Sequence, residues 1–367
     1  MKKCLFAPAC VALSIISIAN ISSAYAQSSI TLYGSTDAGV GYVSNLHGSH
    51  AFFAEQGTFQ ADRWGLTGTE DLGSGLKTVF KLESGFSTIS GAMSSAGTLF
   101  NRKAWVGLSK NDIGTITLGR QTDFHFEMLG PLSTAQSLGD FSAFHPGNVD
   151  GLANTVPVEL SNTAKFVSRP FAGLTVGALY GFTNSSSSTA GRTISFGATY
   201  GYGPLKLAAA WSEYHDRTLN LAGGLGLDAF ENVKLSGGTP FVADSVRNAG
   251  IGGSYQWGRV QLHALVTQAR IERHGQAQNY RTIDGGVNVQ VTPAYMLGAG
   301  AWTTTLAGKR WTQATLANVY SLSKRTQLYM DVMVERASSG AVADTMGIGA
   351  SSSGSQTAVL AGIHHFF

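Results

Sequence analysis

The sequence lacks several features on which soluble enzymes and helical membrane proteins depend. Its two cysteines, Cys4 and Cys10, lie within the first 26 residues, so the rest of the chain can hold neither a disulfide framework nor a thiolate metal site. Charged residues make up only 13% of the chain and the formal net charge is +3, which argues against a nucleic-acid partner. The longest uncharged internal stretch, 285–308, contains asparagine, glutamine, proline and several threonines. It therefore lacks the roughly 20 predominantly apolar residues of a membrane-spanning helix.

The first residues have the composition of an export signal. Lys2 and Lys3 precede an apolar stretch that ends in Ala24-Tyr25-Ala26, a small residue on either side of a larger one, as secretory signal peptidases require. A buried amphipathic helix is the alternative, but it would leave both the charged start and the small-residue ending unexplained. We therefore predict a cleaved signal peptide at 1–26 and a mature domain at 27–367.

Composition and periodicity indicate an almost entirely β protein. Glycine is abundant, with 46 residues, and proline is scarce, with 8, and this balance suits paired strands because proline removes a ladder donor. In Gln261–Thr267 and Gln327–Glu335 apolar and polar residues alternate, which gives one apolar and one polar face. A soluble sandwich shows the same alternation, so strand length and loop rhythm must decide between the two.

Turn signals divide the chain into about sixteen strands, with boundaries uncertain by a few residues. The predicted strands are 29–42, 59–71, 74–87, 100–110, 113–121, 162–171, 172–184, 191–201, 204–216, 246–257, 258–272, 279–291, 293–305, 310–322, 325–337 and 355–367. Long connections are predicted near 43–58, 122–161, 217–245 and 338–354. Short turns on one rim and long loops on the other are typical of a membrane barrel. Hydrocarbon offers no hydrogen-bond partners, so such a sheet must close on itself, and a barrel this wide encloses water.

The chain ends in an amphipathic strand. Val359, Ala361 and Ile363 share one face, and the last residue is the aromatic Phe367. A frayed soluble tail would not be expected to close in this way. We therefore interpret Phe367 as a signal for barrel assembly.

Several segments together resemble a known family. They are Ser29–Gly34, Arg63–Gly68, Glu70–Gly73, Gly75–Lys77, Leu82–Gly85, Val106–Ser109, Leu118–Arg120 and Leu322–Thr326. In order and spacing they resemble the trimeric general porins of Gram-negative bacteria, in particular the β-proteobacterial branch. The resemblance implies an all-β fold with a 16-stranded antiparallel transmembrane β-barrel, a homotrimer, and a third long loop folded into the lumen as a constriction. It also implies an outer-membrane location, with membrane lipid, lipopolysaccharide, the barrel assembly machinery, and small hydrophilic solutes and ions as partners.

The expected constriction loop, 122–161, is acidic. It contains no lysine or arginine, and its carboxylates are Asp123, Glu127, Asp140, Asp150 and Glu159. We expect them to form an acidic wall of the pore, although a merely solvated acidic loop would have the same composition.

The opposite wall is expected to be basic. Its candidates are Arg63, Lys77, Lys81, Arg102, Lys103 and Arg120. In similar porins the residues at the positions of Arg63 and Arg120, with a basic residue near Arg102 or Lys103, face the loop carboxylates. Opposite charges across a narrow opening create a transverse field that orients polar solutes. The sign of ion selectivity stays open, because Glu159 stands near a position where relatives often have arginine.

No pattern indicates catalysis, a cofactor or a metal. The histidines show no helical metal-binding spacing, and the glycine-rich segments lack the lysine of a phosphate loop. Passive diffusion of small hydrophilic solutes is therefore the predicted function. A ligand-specific channel, which one substrate would saturate, is the first alternative. A barrel hydrolase is the second, and it would be expected to be narrower with a filled lumen.

Overall fold

A computed structural model describes residues 28–154, 158–183, 191–235 and 241–367. The predicted signal peptide lies outside these residues. So does the short segment 155–157 of the predicted constriction loop. No helix within the described ranges has the length and apolarity to cross a membrane.

The described residues form a closed antiparallel β-barrel. The strands are Ser29–Leu46 (β1), Ser49–Glu55 (β2), Arg63–Gly73 (β3), Leu76–Gly85 (β4), Lys103–Lys110 (β5), Gly114–Thr122 (β6), Glu159–Ser168 (β7), Leu174–Gly181 (β8), Thr193–Tyr202 (β9), Leu205–Leu219 (β10), Ala229–Phe230 (β11), Val233–Lys234 (β12), Phe241–Trp257 (β13), Val260–Arg273 (β14), Gln276–Thr292 (β15), Tyr295–Leu306 (β16), Lys309–Ser321 (β17), Thr326–Ala337 (β18), Asp344–Thr345 (β19), Gly349–Ala350 (β20) and Ser355–Phe366 (β21). One sheet contains 17 of them, and the remaining four form two small hairpins. Because β1 pairs with both β3 and β21, the sheet has no free edge.

Two of the 17 strands share one position in the barrel wall. The first half of β1 pairs with β3 and its second half pairs with β2, so 17 strands fill 16 positions, and the predicted fold class is confirmed. The segment 56–62 separates β2 from β3. It is held by Asp37 of β1, whose Oδ2 accepts hydrogen bonds from the backbone nitrogens of Phe59 and Gln60 at 2.8 and 3.1 Å.

This break in the wall corrects two expectations. The predicted long connection at 43–58 is instead a two-residue turn at His47-Gly48 followed by β2, and the predicted strand at 59–71 begins only at Arg63. His47 and Gly48 both have positive φ, 52° and 109°, as tight hairpin turns require. Hairpin turns of this type usually have Asn or Asp before the glycine. Because His47 stands there instead, the sequence did not indicate a hairpin turn.

The connection between β6 and β7, which we call the constriction loop, folds into the lumen. It consists of short helical turns: His125–Leu129 (a π-helix), Gly130–Leu132, Phe141–Ala143 and Pro146–Asn148 (3-10 helices) and Thr134–Leu138 (an α-helix). A further short α-helix, Leu221–Leu225, lies in the loop between β10 and β13. The apolar side chains of the constriction loop, among them Phe124, Leu129 and Leu152, pack in one cluster with the inner faces of β10 and of β13–β17.

Glycines on the inner face of the wall make room for this loop. A Cβ atom at Gly197 would lie 2.6 Å from Cβ of Phe124, and one at Gly250 would lie 2.6 Å from Cδ1 of Leu129. Distances this short mean that a side chain at either position would require the loop residue to shift. The loop therefore packs closely against the inner face of the wall where these glycines lie. The space on the opposite side of the lumen stays open.

Candidate functional site

A cavity of about 710 Å³ lies between the constriction loop and the wall formed by β1 and β3–β5. The wall side includes residues 57–61, which belong to the segment between β2 and β3, and four basic residues. The loop side presents 135–141 together with Phe126, and the one ionisable residue in this range is Asp140. The cavity is therefore bounded by a wall with four basic residues and by a loop surface that is mostly uncharged.

The carboxylate of Glu83 organises the basic wall. It lies 2.9 Å from Nε of Arg102, 3.8 Å from Nε of Arg63 and 3.9 Å from Nζ of Lys81. The hydroxyl of Tyr33 also donates to Glu83 at 2.8 Å. Glu83 was not predicted as a site residue, although alternation along β4 places it on the same face as Lys81 and could have identified it.

We define the basic cluster as the four cations that line the cavity: Arg63, Lys81, Arg102 and Lys103. Four positive charges against Glu83 leave a formal excess of +3 (4 − 1). The only other acid among the described residues that line the cavity is Asp140, which is 1% exposed. Its Oδ1 accepts a hydrogen bond from the backbone nitrogen of Ser142 at 2.8 Å, and burial raises the pKa of Asp140 to about 7. Among the residues that line the cavity, the positive charges of the basic cluster therefore outnumber the carboxylates, and the one lining carboxylate on the loop side is the buried Asp140.

Two of the six predicted basic residues lie outside this cavity. Lys77 stands at the start of β4, close to the short-turn rim. Arg120 donates to the backbone oxygen of Asn101 at 2.6 Å and to Oγ of Ser161 at 2.7 Å. The register of β6 against β7 shifts next to Arg120, and these two bonds hold its side chain against Asn101 and Ser161.

The three aspartates of the expected acidic wall are at most 1% exposed, and of the three Asp140 alone lines the cavity. Asp140 caps the helical turn Phe141–Ala143 by accepting the hydrogen bond from the backbone nitrogen of Ser142. Asp123 accepts hydrogen bonds from Ser212 and Tyr214 of β10. Asp150 accepts one from Thr267 of β14 at 2.6 Å. These carboxylates fasten the loop to the wall behind it, because a carboxylate buried there must satisfy its hydrogen bonds with hydroxyl and amide donors.

The two glutamates are also paired. Glu127 forms an ion pair with Lys165 of β7, and neither residue lines the cavity. Glu159, at the start of β7, is 7% exposed. The side-chain amide of Asn154 links it to Arg102, donating to Glu159 at 2.7 Å and accepting from Arg102 at 2.6 Å. Of the predicted loop carboxylates, Glu159 is thus the one connected to the basic cluster.

A buried histidine joins the loop to the far wall. Nδ1 of His145 lies 2.7 Å from Asp150 and its Nε2 lies 3.0 Å from Asp284 of β15. Burial alone would lower the pKa of His145, but the two carboxylates outweigh it and raise the pKa to about 10. Asp284 also accepts a hydrogen bond from the backbone nitrogen of Thr134 at 2.9 Å. No sequence pattern distinguished His145 from the other histidines.

Within the part of the chain that the structure describes, no group of three or more His, Cys, Asp or Glu residues could hold a metal ion.

Comparison with known proteins gives one consistent family. A family model described as Gram-negative porin matches residues 9–340. An outer membrane porin protein of Bordetella pertussis is 29% identical over 386 residues, which cover 90% of this chain and 93% of that protein. Outer membrane porin protein 32 of Delftia acidovorans is 29% identical over the full length of both chains.

Solved structures share the same architecture. The anion-selective porin from Comamonas acidovorans superimposes with a TM-score of 0.77 at 25% identity, over 93% of this chain and all of that one. The trimer form of OmpT from Vibrio cholerae superimposes with a TM-score of 0.68 at 16% identity, over 93% of this chain and 99% of that one.

Proposed function

The chain belongs to the Gram-negative porin family and is an outer-membrane general diffusion porin, and on that premise we propose that its pore prefers anions and that the basic cluster sets this preference. The observation that carries the proposal is the formal excess of +3 on one side of the cavity (4 − 1), opposite a loop surface whose one lining acid, Asp140, is buried. The resemblance to an anion-selective porin supports the same sign. This proposal replaces the weak selectivity of undetermined sign expected from the sequence.

The geometry explains why a small excess of charge is sufficient. The cluster side chains are largely enclosed, with 18%, 27% and 10% of the side chains of Arg63, Lys81 and Arg102 exposed. A narrow opening with low-dielectric walls focuses the field of such charges on passing ions. The ring of Tyr33, 4.8 Å from Nζ of Lys81, and the carboxylate of Glu83 keep the cations in place. Anions are therefore concentrated at the constriction, and cations are depleted there.

The finer properties of the protein are part of the same proposal. We propose that it forms a homotrimer, which the trimer form of OmpT supports, and that residues 1–26 are removed on export. We propose that Phe367 acts in recognition by the assembly machinery. Its backbone pairs with Gly34 of β1 at 3.1 and 3.2 Å, so the last residue takes part in closing the barrel. The protein is a channel, and we propose that it catalyses no reaction.

Planar-bilayer recording of the purified protein in a tenfold KCl gradient tests the ion preference. We expect a reversal potential with the sign of chloride selectivity, below the limit of about 59 mV for a perfectly selective pore. A value of zero or of the opposite sign would refute the proposal.

The same recordings distinguish general diffusion from ligand-specific transport and report the oligomeric state. Conductance that rises linearly with salt indicates general diffusion, whereas saturation and block by one solute would indicate a ligand-specific channel. Closure in three equal steps is the expected result for a trimer, and single-step closure would contradict it.

A further inference from the structure

Two acidic side chains meet beneath the last long loop of the barrel, beside β18 and β21. Glu335 stands on the buried, inner face of β18, and Asp344 belongs to the small hairpin of β19 and β20. The backbone nitrogen of Asp344 donates to Oε1 of Glu335 at 2.9 Å. Both residues are at most 2% exposed. The structure therefore holds two carboxyl groups next to each other and away from solvent.

Three oxygen atoms of this cluster have no hydrogen-bond partner among the described residues. They are Oε2 of Glu335, Oδ2 of Asp344 and Oγ1 of Thr345. Thr345 is 1% exposed, and its side chain faces the carboxylate of Glu335. Buried polar atoms in proteins are normally hydrogen-bonded. Neighbouring buried oxygens without a partner therefore indicate a position for a cation.

No basic side chain balances the two carboxylates. Among the ion pairs of the described residues, none includes Glu335 or Asp344. Arg336, the next residue along β18, is exposed on the opposite face of the strand. Buried carboxylates without a cation destabilise a fold, because each has lost its hydration and gained no opposite charge. A single divalent cation would neutralise both carboxylates.

Contacts from three segments fix the directions of these oxygens. Glu335 pairs with Gln356 across β18 and β21, and Oε1 of Gln356 accepts a hydrogen bond from the backbone nitrogen of Thr345 at 2.9 Å. The backbone amide of Gly226, which ends the short helix in the loop between β10 and β13, contacts the carboxylate of Asp344. The cluster thus joins two long loops to the barrel wall.

The chemistry of the oxygens indicates which cation fits. Carboxylate and hydroxyl oxygens are hard ligands, which favour Ca²⁺ or Mg²⁺ over transition metals. Ca²⁺ accepts about six to eight oxygens in flexible geometry, and carbonyl groups and water complete a set that has few carboxylates. Such a set requires no third carboxylate or histidine. Mg²⁺ requires near-octahedral geometry and keeps several of its waters, which suits an enclosed cluster less well.

We propose that Glu335, Asp344 and Thr345 form a Ca²⁺ site that fastens the last long loop to the barrel wall and to the loop between β10 and β13. The protein ligands are the three unpartnered oxygens, Oε2 of Glu335, Oδ2 of Asp344 and Oγ1 of Thr345. None of these residues lines the cavity of the basic cluster. The site is therefore independent of the ion preference of the pore.

The test is isothermal titration calorimetry of the purified full-length porin in detergent, after treatment with EDTA and dialysis, with CaCl₂ as the probe. The variant E335Q/D344N removes both charges with little change in shape. Its matched control, E70Q/D71N, makes the same substitutions at exposed residues of the short-turn rim. We expect one Ca²⁺ per chain with a dissociation constant on the order of 0.1–1 mM. Binding should weaken about tenfold or more in E335Q/D344N, because affinity depends on the number of charged ligands, and should be unchanged in the control.

Two outcomes of this titration would overturn the proposal. One is the absence of saturable Ca²⁺ binding to the unmodified protein, which would mean that the two carboxyl groups are neutralised by protons alone. The other is equal binding by E335Q/D344N and E70Q/D71N, which would place the bound ion elsewhere on the protein. Unchanged single-channel conductance of each variant in the presence of EDTA confirms that the barrel is intact.

Two further titrations test the ligand set and the choice of ion. T345V removes the hydroxyl and leaves both carboxylates, so it should weaken Ca²⁺ binding several-fold. Unchanged affinity would overturn the assignment of Thr345 as a ligand. MgCl₂ should bind more weakly than CaCl₂, and equal affinity would contradict the assignment to Ca²⁺.

Hydrogen exchange reports whether the ion fastens the loop. Adding CaCl₂ to the unmodified protein should slow exchange in residues 341–351, and it should have no such effect in E335Q/D344N. The loop at 86–102, which belongs to another part of the rim, should exchange at the same rate with and without the ion. Equal slowing in both loops, or none in 341–351, would contradict a local role in holding the last loop.

Discussion

Replacing Arg63 with glutamate should shift the pore from anion preference toward cation preference. Arg63 lines the cavity at the beginning of β3, and its terminal nitrogens donate to Gln60 and to the backbone oxygen of Ala61 at 2.6 and 3.1 Å. These contacts belong to the broken segment of the wall and fix where the charge is placed. The substitution changes the charge at this point by two units.

The size of the effect follows from the dimensions of the cavity. A volume of about 710 Å³ corresponds to a sphere of about 5.5 Å radius, so an ion at the centre passes about 7 Å from the guanidinium. A change of two charge units at that distance changes the energy of a monovalent ion by about 1.2 kcal/mol in water before screening. At 0.1 M salt, about half of this remains. The substitution raises the energy of chloride at the constriction and lowers that of potassium by the same amount, about 0.6 kcal/mol each. The difference between the two ions therefore changes by about 1.2 kcal/mol, which corresponds to roughly sevenfold in the permeability ratio.

Salt concentration provides an internal check on this reasoning. At 1 M salt the Debye length is about 3 Å, so about a tenth of the interaction survives and the permeability ratio should change only about 1.5-fold. Low-dielectric walls strengthen the interaction, so these figures are lower bounds.

The assay is the reversal potential in tenfold KCl gradients centred on the two concentrations. The control is Lys77→Glu, which makes the same charge change four residues before Lys81, about 13 Å along the strand. An equal shift in Arg63→Glu and Lys77→Glu, or a shift that does not shrink with salt, would refute the assignment of Arg63 to the constriction.

Further variants address the other parts of the site. Glu83→Gln removes the carboxylate at the centre of the basic cluster and should raise the anion-to-cation permeability ratio about threefold at 0.1 M salt; a lower ratio would contradict its role. His145→Ala leaves buried carboxylates without their cation and should cost about 3–5 kcal/mol, measured as a lower thermal midpoint than that of His215→Ala. Because the folded pKa of His145 is raised to about 10 from an unfolded value of about 6.5, its stabilisation is complete below the lower value and declines as pH rises to the upper one. The thermal midpoint of the native protein should fall over that interval, and that of His145→Ala should not. Gly300→Val, where even a Cβ would overlap the side chain of Thr134 in the loop, should increase hydrogen exchange in the constriction loop, and Gly201→Val, with open space around it, should not.

The sequence predicted the barrel because its signal is local. Alternation identifies the lipid-facing side chains strand by strand, and Val266, 49% exposed, stands where the pattern placed it. Its neighbour Leu265 interrupts the polar face, and it is buried beneath the constriction loop. An apolar residue on a predicted water-facing side was thus the available signal for where the loop would pack.

The basic cluster was only partly predictable. Strand parity places Arg63, Lys77 and Lys81 on the water-facing side, but Lys77 does not line the cavity. Arg102 precedes β5 and depends on a contact with Glu83 that no local pattern reveals. Arg120 shows the opposite case, because its family position indicated the basic wall of the pore, whereas its side chain bonds Asn101 and Ser161 and does not line the cavity. Tertiary contacts decide the direction of a side chain at a strand end, and sequence spacing does not report them.

The loop carboxylates show how burial can reverse the meaning of a charge count. A loop with several acids and no lysine or arginine suggests an acidic surface. In the structure most apolar residues of the loop pack against the barrel wall, and Asp123, Asp150 and the ring of His145 are buried beside them. Asp123 then accepts hydrogen bonds from hydroxyls and a backbone amide, and Asp150 contacts a hydroxyl and the ring of His145. These contacts stabilise the position of the loop. They can then no longer neutralise the basic cluster across the opening. The same contacts that hold the loop in the lumen therefore leave the opposite wall unbalanced, and on this account a loop rich in acids produces an anion-preferring constriction.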